Sequence, residues 1–175
     1  MDEQRRWFAV DRDLTNRNDA EAVCAAVVEV LRPVLRRVRV DAVSDYADEM
    51  PPSVAEAEAV LRALARRQRP HDRDPVTAVE VTPADAEWAA MERYAAWSID
   101  VDLLGEDEQG VGSLHDCGWS VTAALTDNEV ALLRERVGAK APVTLLAAVH
   151  ERRRQQKREQ RKARLGSVWP FRRQR

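Results

Sequence analysis

Two stretches of this chain alternate apolar and polar residues, and a period of two limits each of them to a strand with one buried face. In the first stretch, Ile99, Val101 and Leu103 alternate with one serine and two aspartates. In the second stretch, residues 119–125, the odd positions hold tryptophan, valine, alanine and leucine. An acidic loop over 105–110 and an irregular stretch over 112–118 separate the two. They are therefore predicted to pair as an antiparallel hairpin.

Further elements follow from shorter patterns. Alternation over 7–10, 38–42 and 76–81 predicts three more strands. Helix starts are predicted from capping residues or from proline, at Ser53, Thr82, Thr126 and Pro142 and at either Asn18 or Asp19. Strands and helices in this order, with an antiparallel hairpin among them, predict an α+β fold. We expect a single domain with a small mixed or antiparallel sheet and several capped helices.

Length and composition limit the class of protein. A chain of 175 residues, 45% of them hydrophobic, can bury one substantial core. No apolar run approaches the roughly 20 residues of a membrane span, and no signal peptide is predicted at the N-terminus. Cys24 and Cys117 do not form a disulfide framework, so the expected location is the cytoplasm. No membrane partner is expected.

Charge is distributed very unevenly. The net charge of −2 combines a C-terminal segment, 150–175, that has eleven basic and two acidic residues, with a remainder, 1–149, that has 17 basic and 28 acidic residues. The sequence therefore predicts an acidic α+β body over 1–149 and a basic C-terminal helical arm and tail over 150–175. Such asymmetry indicates a polyanionic partner for the arm.

The arm has no apolar stripe beyond His150, and a helix that is polar all round does not pack against a core. We expect it to project from the body until Gly166 ends it. Trp169 follows in the tail and is a candidate for stacking on bases. The predicted residues for binding nucleic acid or another polyanion are Arg152, Arg153, Arg154, Lys157, Arg158, Arg161, Lys162, Arg164, Trp169, Arg172 and Arg173.

These features favour a non-enzymatic intracellular protein whose arm binds nucleic acid without strong sequence preference, through its phosphates. One alternative is a small protein-interaction module of the inhibitor, immunity or adaptor type, whose acidic body binds a basic protein. The arm would then contact an acidic protein or fold back on the body. A third hypothesis is a metal-dependent phosphodiesterase.

Two segments could carry chemistry. His115, Asp116 and Cys117 combine a thiol, an imidazole and a carboxylate, but neighbours along an extended chain point in opposite directions. We therefore expect Cys117 to be a packed side chain beside a bulge at Gly118. Asp100 and Asp102 share one strand face, and acidic residues 106–108 and 116 could join them around Mg²⁺. No catalytic residue, metal ligand or cofactor is predicted from either segment.

Overall fold

The computed structural model describes residues 4–10, 16–138 and 141–166. Within them, seven strands form one sheet in which every neighbouring pair is antiparallel, which confirms the predicted α+β class. The strands are β1 (Arg6–Val10), β2 (Arg37–Val40), β3 (Val79–Val81), β4 (Asp100–Leu104), β5 (Gly110–His115), β6 (Ser120–Leu125) and β7 (Val143–Leu145). Their order across the sheet is β3-β2-β4-β5-β6-β1-β7.

In the described part of the chain, five α-helices accompany the sheet: α1 (Arg17–Leu31), α2 (Pro52–Gln68), α3 (Trp88–Tyr94), α4 (Asp127–Val137) and α5 (Leu146–Gly166). The capping box predicted at the start of α4 is confirmed. The backbone N–H of Glu129 donates to the Thr126 hydroxyl over 3.3 Å, and the backbone N–H of Thr126 donates to the Glu129 carboxylate over 2.9 Å. Among the described residues no helix is long and apolar enough to cross a membrane.

Three other helix starts differ from the prediction. α1 is capped by Asn16, whose side chain accepts from the backbone N–H of Asp19 over 2.8 Å. α2 has Pro51 at its N-cap and no side-chain cap, because proline at the first helical position starts the helix before Ser53. α3 begins at Trp88, after a turn in which Asp85 accepts from the backbone N–H of Thr82.

The predicted hairpin is a three-stranded meander. The stretch predicted to be irregular contains β5, which pairs with β4 on one side and β6 on the other. Gly112 interrupts the alternation of apolar and polar residues by which this strand would be recognised in the sequence. A Cβ there would lie 3.0 to 3.1 Å from the Leu103 and Leu31 side chains and the Thr122 carbonyl, so the tight approach favours glycine. Another strand, β7, occupies the position where Pro142 predicted a helix.

The sheet has one buried and one open face. Val38, Val101, Leu103 and Leu114 point towards α1 to α4 and join a single hydrophobic core with their apolar side chains. The opposite face, which we call the open face, carries polar and charged residues at the alternate positions: Arg37, Arg39, Glu80, Asp100, Asp102, Ser113, His115, Ser120 and Thr122.

The last helix begins against this open face. Ala9 lies opposite Thr122 in the sheet register and therefore belongs to the open face, yet it is buried. Val149 in the second turn of α5 is also buried, and α5 contacts β1 and β7. We infer that the first turns of α5 cover the part of the open face around Ala9.

Candidate nucleic-acid interface

The basic residues of α5 form a densely charged, exposed surface. Every residue from 150 to 162 is exposed, and 151–162 contain seven basic and two acidic side chains. The basic ones are Arg152, Arg153, Arg154, Lys157, Arg158, Arg161 and Lys162. At 100° per residue they surround the helix instead of forming one stripe.

The rest of the predicted binding set falls outside this surface. The described part of α5 extends to Gly166, so the predicted end of the helix there stays a prediction. The side chain of Arg164, and residues Trp169, Arg172 and Arg173, lie outside the described residues. The projection of the arm, and the stacking role of Trp169, therefore stay predictions.

A cleft of about 570 Å³ lies between α5 and the β5–β6 end of the sheet. Its walls combine the apolar first turns of α5, two of its arginines, and polar residues of β6 and of the turn before it. The lining residues are Ala9, Val10, Asp116, Trp119, Ser120, Val121, Thr122, Leu146, Val149, Arg152, Arg153 and Gln156. The binding residues predicted from the sequence include these two arginines but none of the lining residues from β6 and the turn before it.

The turn that leads into this wall has an unusual backbone. Asp116, Cys117 and Gly118 have φ angles of 54°, 55° and 80°, so three consecutive residues adopt positive φ. This is a tight turn of the β5–β6 hairpin and not the predicted bulge. Gly118 is required there, because a Cβ would lie 3.0 Å from both the Ala96 carbonyl oxygen and the Cys24 sulfur.

Trp119, which follows this turn, forms part of an aromatic cage around Arg17. The guanidinium carbon lies 4.5, 4.6 and 4.9 Å from the ring centroids of Tyr46, Trp97 and Trp119. Such distances allow attraction between the cation and the face of each ring. The cage therefore fixes Trp119 between α1 and the cleft.

Backbone hydrogen bonds complete the site of Arg17. Its Nη1 donates to the Ala96 carbonyl over 2.8 Å and to the Cys117 carbonyl over 2.6 Å. Trp97 is held in turn by Glu21, which accepts from the indole Nε1 over 2.7 Å. One side chain thus joins the start of α1, the connection between α3 and β4, and the β5–β6 turn.

His115, Asp116 and Cys117 do not form a catalytic triad. The Cys117 side chain is fully buried and its sulfur lies 3.8 Å from the Ser44 hydroxyl, whereas Asp116 is exposed. His115 Nδ1 lies 2.7 Å from a carboxylate oxygen of Asp100, across the β4–β5 pair. The imidazole is therefore directed to Asp100 and not to the thiol, which confirms the expectation that Cys117 is a packed side chain.

The predicted acidic cluster is not assembled either. Glu108 accepts from Arg37 and Arg39 over 3.1 Å each, at the end of β5 opposite to Asp116. Burial raises the pKa of Asp100, and His115 partly opposes that shift. Within the described ranges, no group of three or more His, Cys, Asp or Glu side chains is placed to hold a metal ion.

Cys24 is a core residue, as expected. It is fully buried in α1 near Gly118, and burial raises the pKa of its thiol to about 12. Trp88 and Trp97 are buried as predicted, and Trp119 is partly buried.

The geometry thus offers a polar cleft flanked by a strongly basic helix. Comparison with protein-family models, with curated proteins and with solved structures finds no match for this chain.

Proposed function

We propose that this chain binds nucleic acid without strong sequence preference, through the basic side chains of α5. The observation that carries the proposal is the run of seven basic and two acidic residues over 151–162, which is exposed along its whole length. Lysine and arginine bind the phosphate backbone and release its condensed counterions, and this supplies most of the affinity in non-specific complexes.

The dimensions of α5 fit this partner. Arg152 and Lys162 are ten residues apart, so the run extends over about 15 Å at about 1.5 Å per residue. Duplex DNA carries one negative charge per roughly 1.7 Å of its axis, which places several phosphates within reach of this run. A single small anion would use only one or two of the seven cations.

Two further parts of the proposal concern class and location. We propose a binding protein and not an enzyme, since Asp100 and His115 are directed to each other and Cys117 is enclosed in the core. The cytoplasm is the proposed location, in keeping with two free cysteines, Cys24 and Cys117.

The test uses two sets of glutamine substitutions in the full chain, each of which removes three exposed positive charges. The first set, on α5, is Arg154→Gln, Lys157→Gln and Arg158→Gln, and the matched control set, on the body, is Arg66→Gln, Arg73→Gln and Arg93→Gln. Binding of labelled DNA and RNA at low salt is followed by fluorescence anisotropy. We expect the α5 set to weaken binding by about tenfold or more, and the control set to change it much less.

An acidic protein is the competing partner for the same surface. Polyglutamate then binds the full chain at least as tightly as DNA does, and that result would replace the present proposal. If neither polyanion binds at low salt, or both triple variants bind like the parent chain, the proposal is wrong.

A further inference from the structure

The cleft beside α5 combines positive charge with hydroxyl groups. Arg152 and Arg153 supply positive charge from the helix, and Ser120 and Thr122 supply hydroxyl groups from β6. The Asp116 carboxylate is the one acidic group among the lining residues, so the side chains of the cleft have a net charge of +1. Its volume of about 570 Å³ lies inside the range of roughly 300–1,000 Å³ that is usual for small-molecule sites.

Trp119 is one of the residues that line the cleft, and its ring is packed against the core. The Arg17 guanidinium lies 4.9 Å from the centroid of the Trp119 ring. The turn with positive φ angles fixes the backbone just before Trp119. The indole Nε1 is buried and makes no hydrogen bond within the described residues, so the ring is held by packing and by the cation. An aromatic ring that is fixed before binding offers a stacking surface with little loss of side-chain entropy.

We propose that this cleft holds one base of a single strand against Trp119, while Arg152 and Arg153 contact the adjoining phosphates. The inference rests on the proposed function, and it deepens it by naming the form of nucleic acid that the surface prefers. Bases in a duplex are paired and stacked on each other, so they cannot enter such a cleft unless they are first extruded. Stacking on an aromatic side chain is tolerant of sequence, because every base has a π face.

The experiment compares a labelled single strand with the duplex of the same sequence, using the full chain. Trp119→Leu removes the aromatic ring, and Trp119→Phe keeps a ring and removes the buried Nε1. Tyr46→Leu is the matched control, because Tyr46 contacts Arg17 at 4.5 Å on another side of the cage and does not line the cleft. Thermal unfolding of each variant is measured to check that the variant is folded at the temperature of the binding assay.

We expect the parent chain to bind the single strand about tenfold or more tightly than the duplex. Trp119→Leu should reduce the single-strand affinity to near the duplex value, and Trp119→Phe and Tyr46→Leu should retain the preference. If Trp119→Leu does not fold, Trp119→Phe is compared instead with Ser120→Arg, whose long side chain fills the cleft. Only Ser120→Arg should then lose the preference for the single strand.

The failure of the nucleotide site and the failure of the proposed function give different results. If the α5 triple variant loses affinity for both forms, but the parent chain binds the single strand and duplex equally, the proposed function stands and the nucleotide site is refuted. If the Tyr46→Leu control loses the preference as fully as Trp119→Leu, the effect belongs to the cage, which also refutes the site. If no nucleic acid binds, both proposals fail.

Discussion

The partly buried side chain of Arg17 joins three separate parts of the fold, so its replacement by alanine should destabilise the protein. The guanidinium faces three aromatic rings at 4.5 to 4.9 Å and donates two hydrogen bonds to backbone carbonyls. Alanine removes all five contacts and leaves both carbonyls without this donor.

The magnitude follows from these contacts. Each cation–π contact at a partly exposed site contributes about 0.5–1 kcal/mol. Each of the two hydrogen bonds contributes about 1 kcal/mol. A positive charge in the first turn of a helix opposes the helix dipole, and its removal returns roughly 0.5 kcal/mol. Because one side chain makes all these contacts, they are not fully additive, and we expect a net loss of about 3 kcal/mol.

Urea unfolding monitored by circular dichroism measures this difference, and thermal unfolding should show a midpoint lower by about 6–12 °C. Arg32→Ala is the matched control at the other end of α1, where the guanidinium lies 5.5 Å from one ring, that of Trp88, and pairs with the partly exposed Glu92. That change should lose less than about 1 kcal/mol. Equal losses for the two variants, or a loss below about 1 kcal/mol for Arg17→Ala, would show that the cage does not stabilise the fold.

Three further outcomes are expected. Gly118→Ala should lower the free energy of unfolding by at least about 2 kcal/mol, because φ is 80° and the new Cβ meets backbone at 3.0 Å. The control Gly110→Ala, which has open space around the new Cβ and no positive φ, should change it by less than about 0.5 kcal/mol, and urea unfolding of both tests this. Neither Cys24 nor Cys117 should react with a thiol reagent in the native protein near pH 8, since both are buried and the Cys24 pKa is about 12, and two thiols should react after denaturation. Asp100→Asn should stabilise the protein near pH 7, because burial raises the pKa of this carboxyl and so penalises its ionised form in the folded state. The gain should disappear below about pH 3.8, where the carboxyl is protonated in both the folded and the unfolded state. A loss of stability near neutral pH would contradict this.

The parts of the fold that were predicted correctly depend on local chemistry. β4 and β6 show in the sequence because alternation reflects one buried face, and the α4 cap is visible because Thr126 and Glu129 satisfy each other's backbone groups. β5 was missed because glycines at 110 and 112 interrupt its alternation, although close packing favours glycine at position 112. At the start of α2, the proline pair determined the boundary and Ser53 did not cap it.

The candidate site divides in the same way. The basic run is evident from the sequence, because charge needs no knowledge of the fold. The cleft and the cage were not predicted, because they depend on contacts between residues far apart in the chain. Arg17 and Cys117, for example, are 100 positions apart. The sequence contains one indication of the tight turn at Asp116, a glycine directly before a tryptophan. The residues across the cleft from this turn belong to α5, and their position depends on where that helix packs.

The dependence of nucleic-acid affinity on salt tests the proposed role of α5 most directly. Neutralisation of about four phosphates on duplex DNA gives a log–log slope of about −3.6, so the association constant of the full chain should fall roughly 100-fold between about 50 and 200 mM salt. The triple variant Arg154→Gln, Lys157→Gln and Arg158→Gln should have a slope nearer about −1, because each lost phosphate contact reduces the slope by about one. The same slope for the parent chain and this variant, or no binding by the parent chain at the lowest salt, would contradict the assignment of α5 as the nucleic-acid interface.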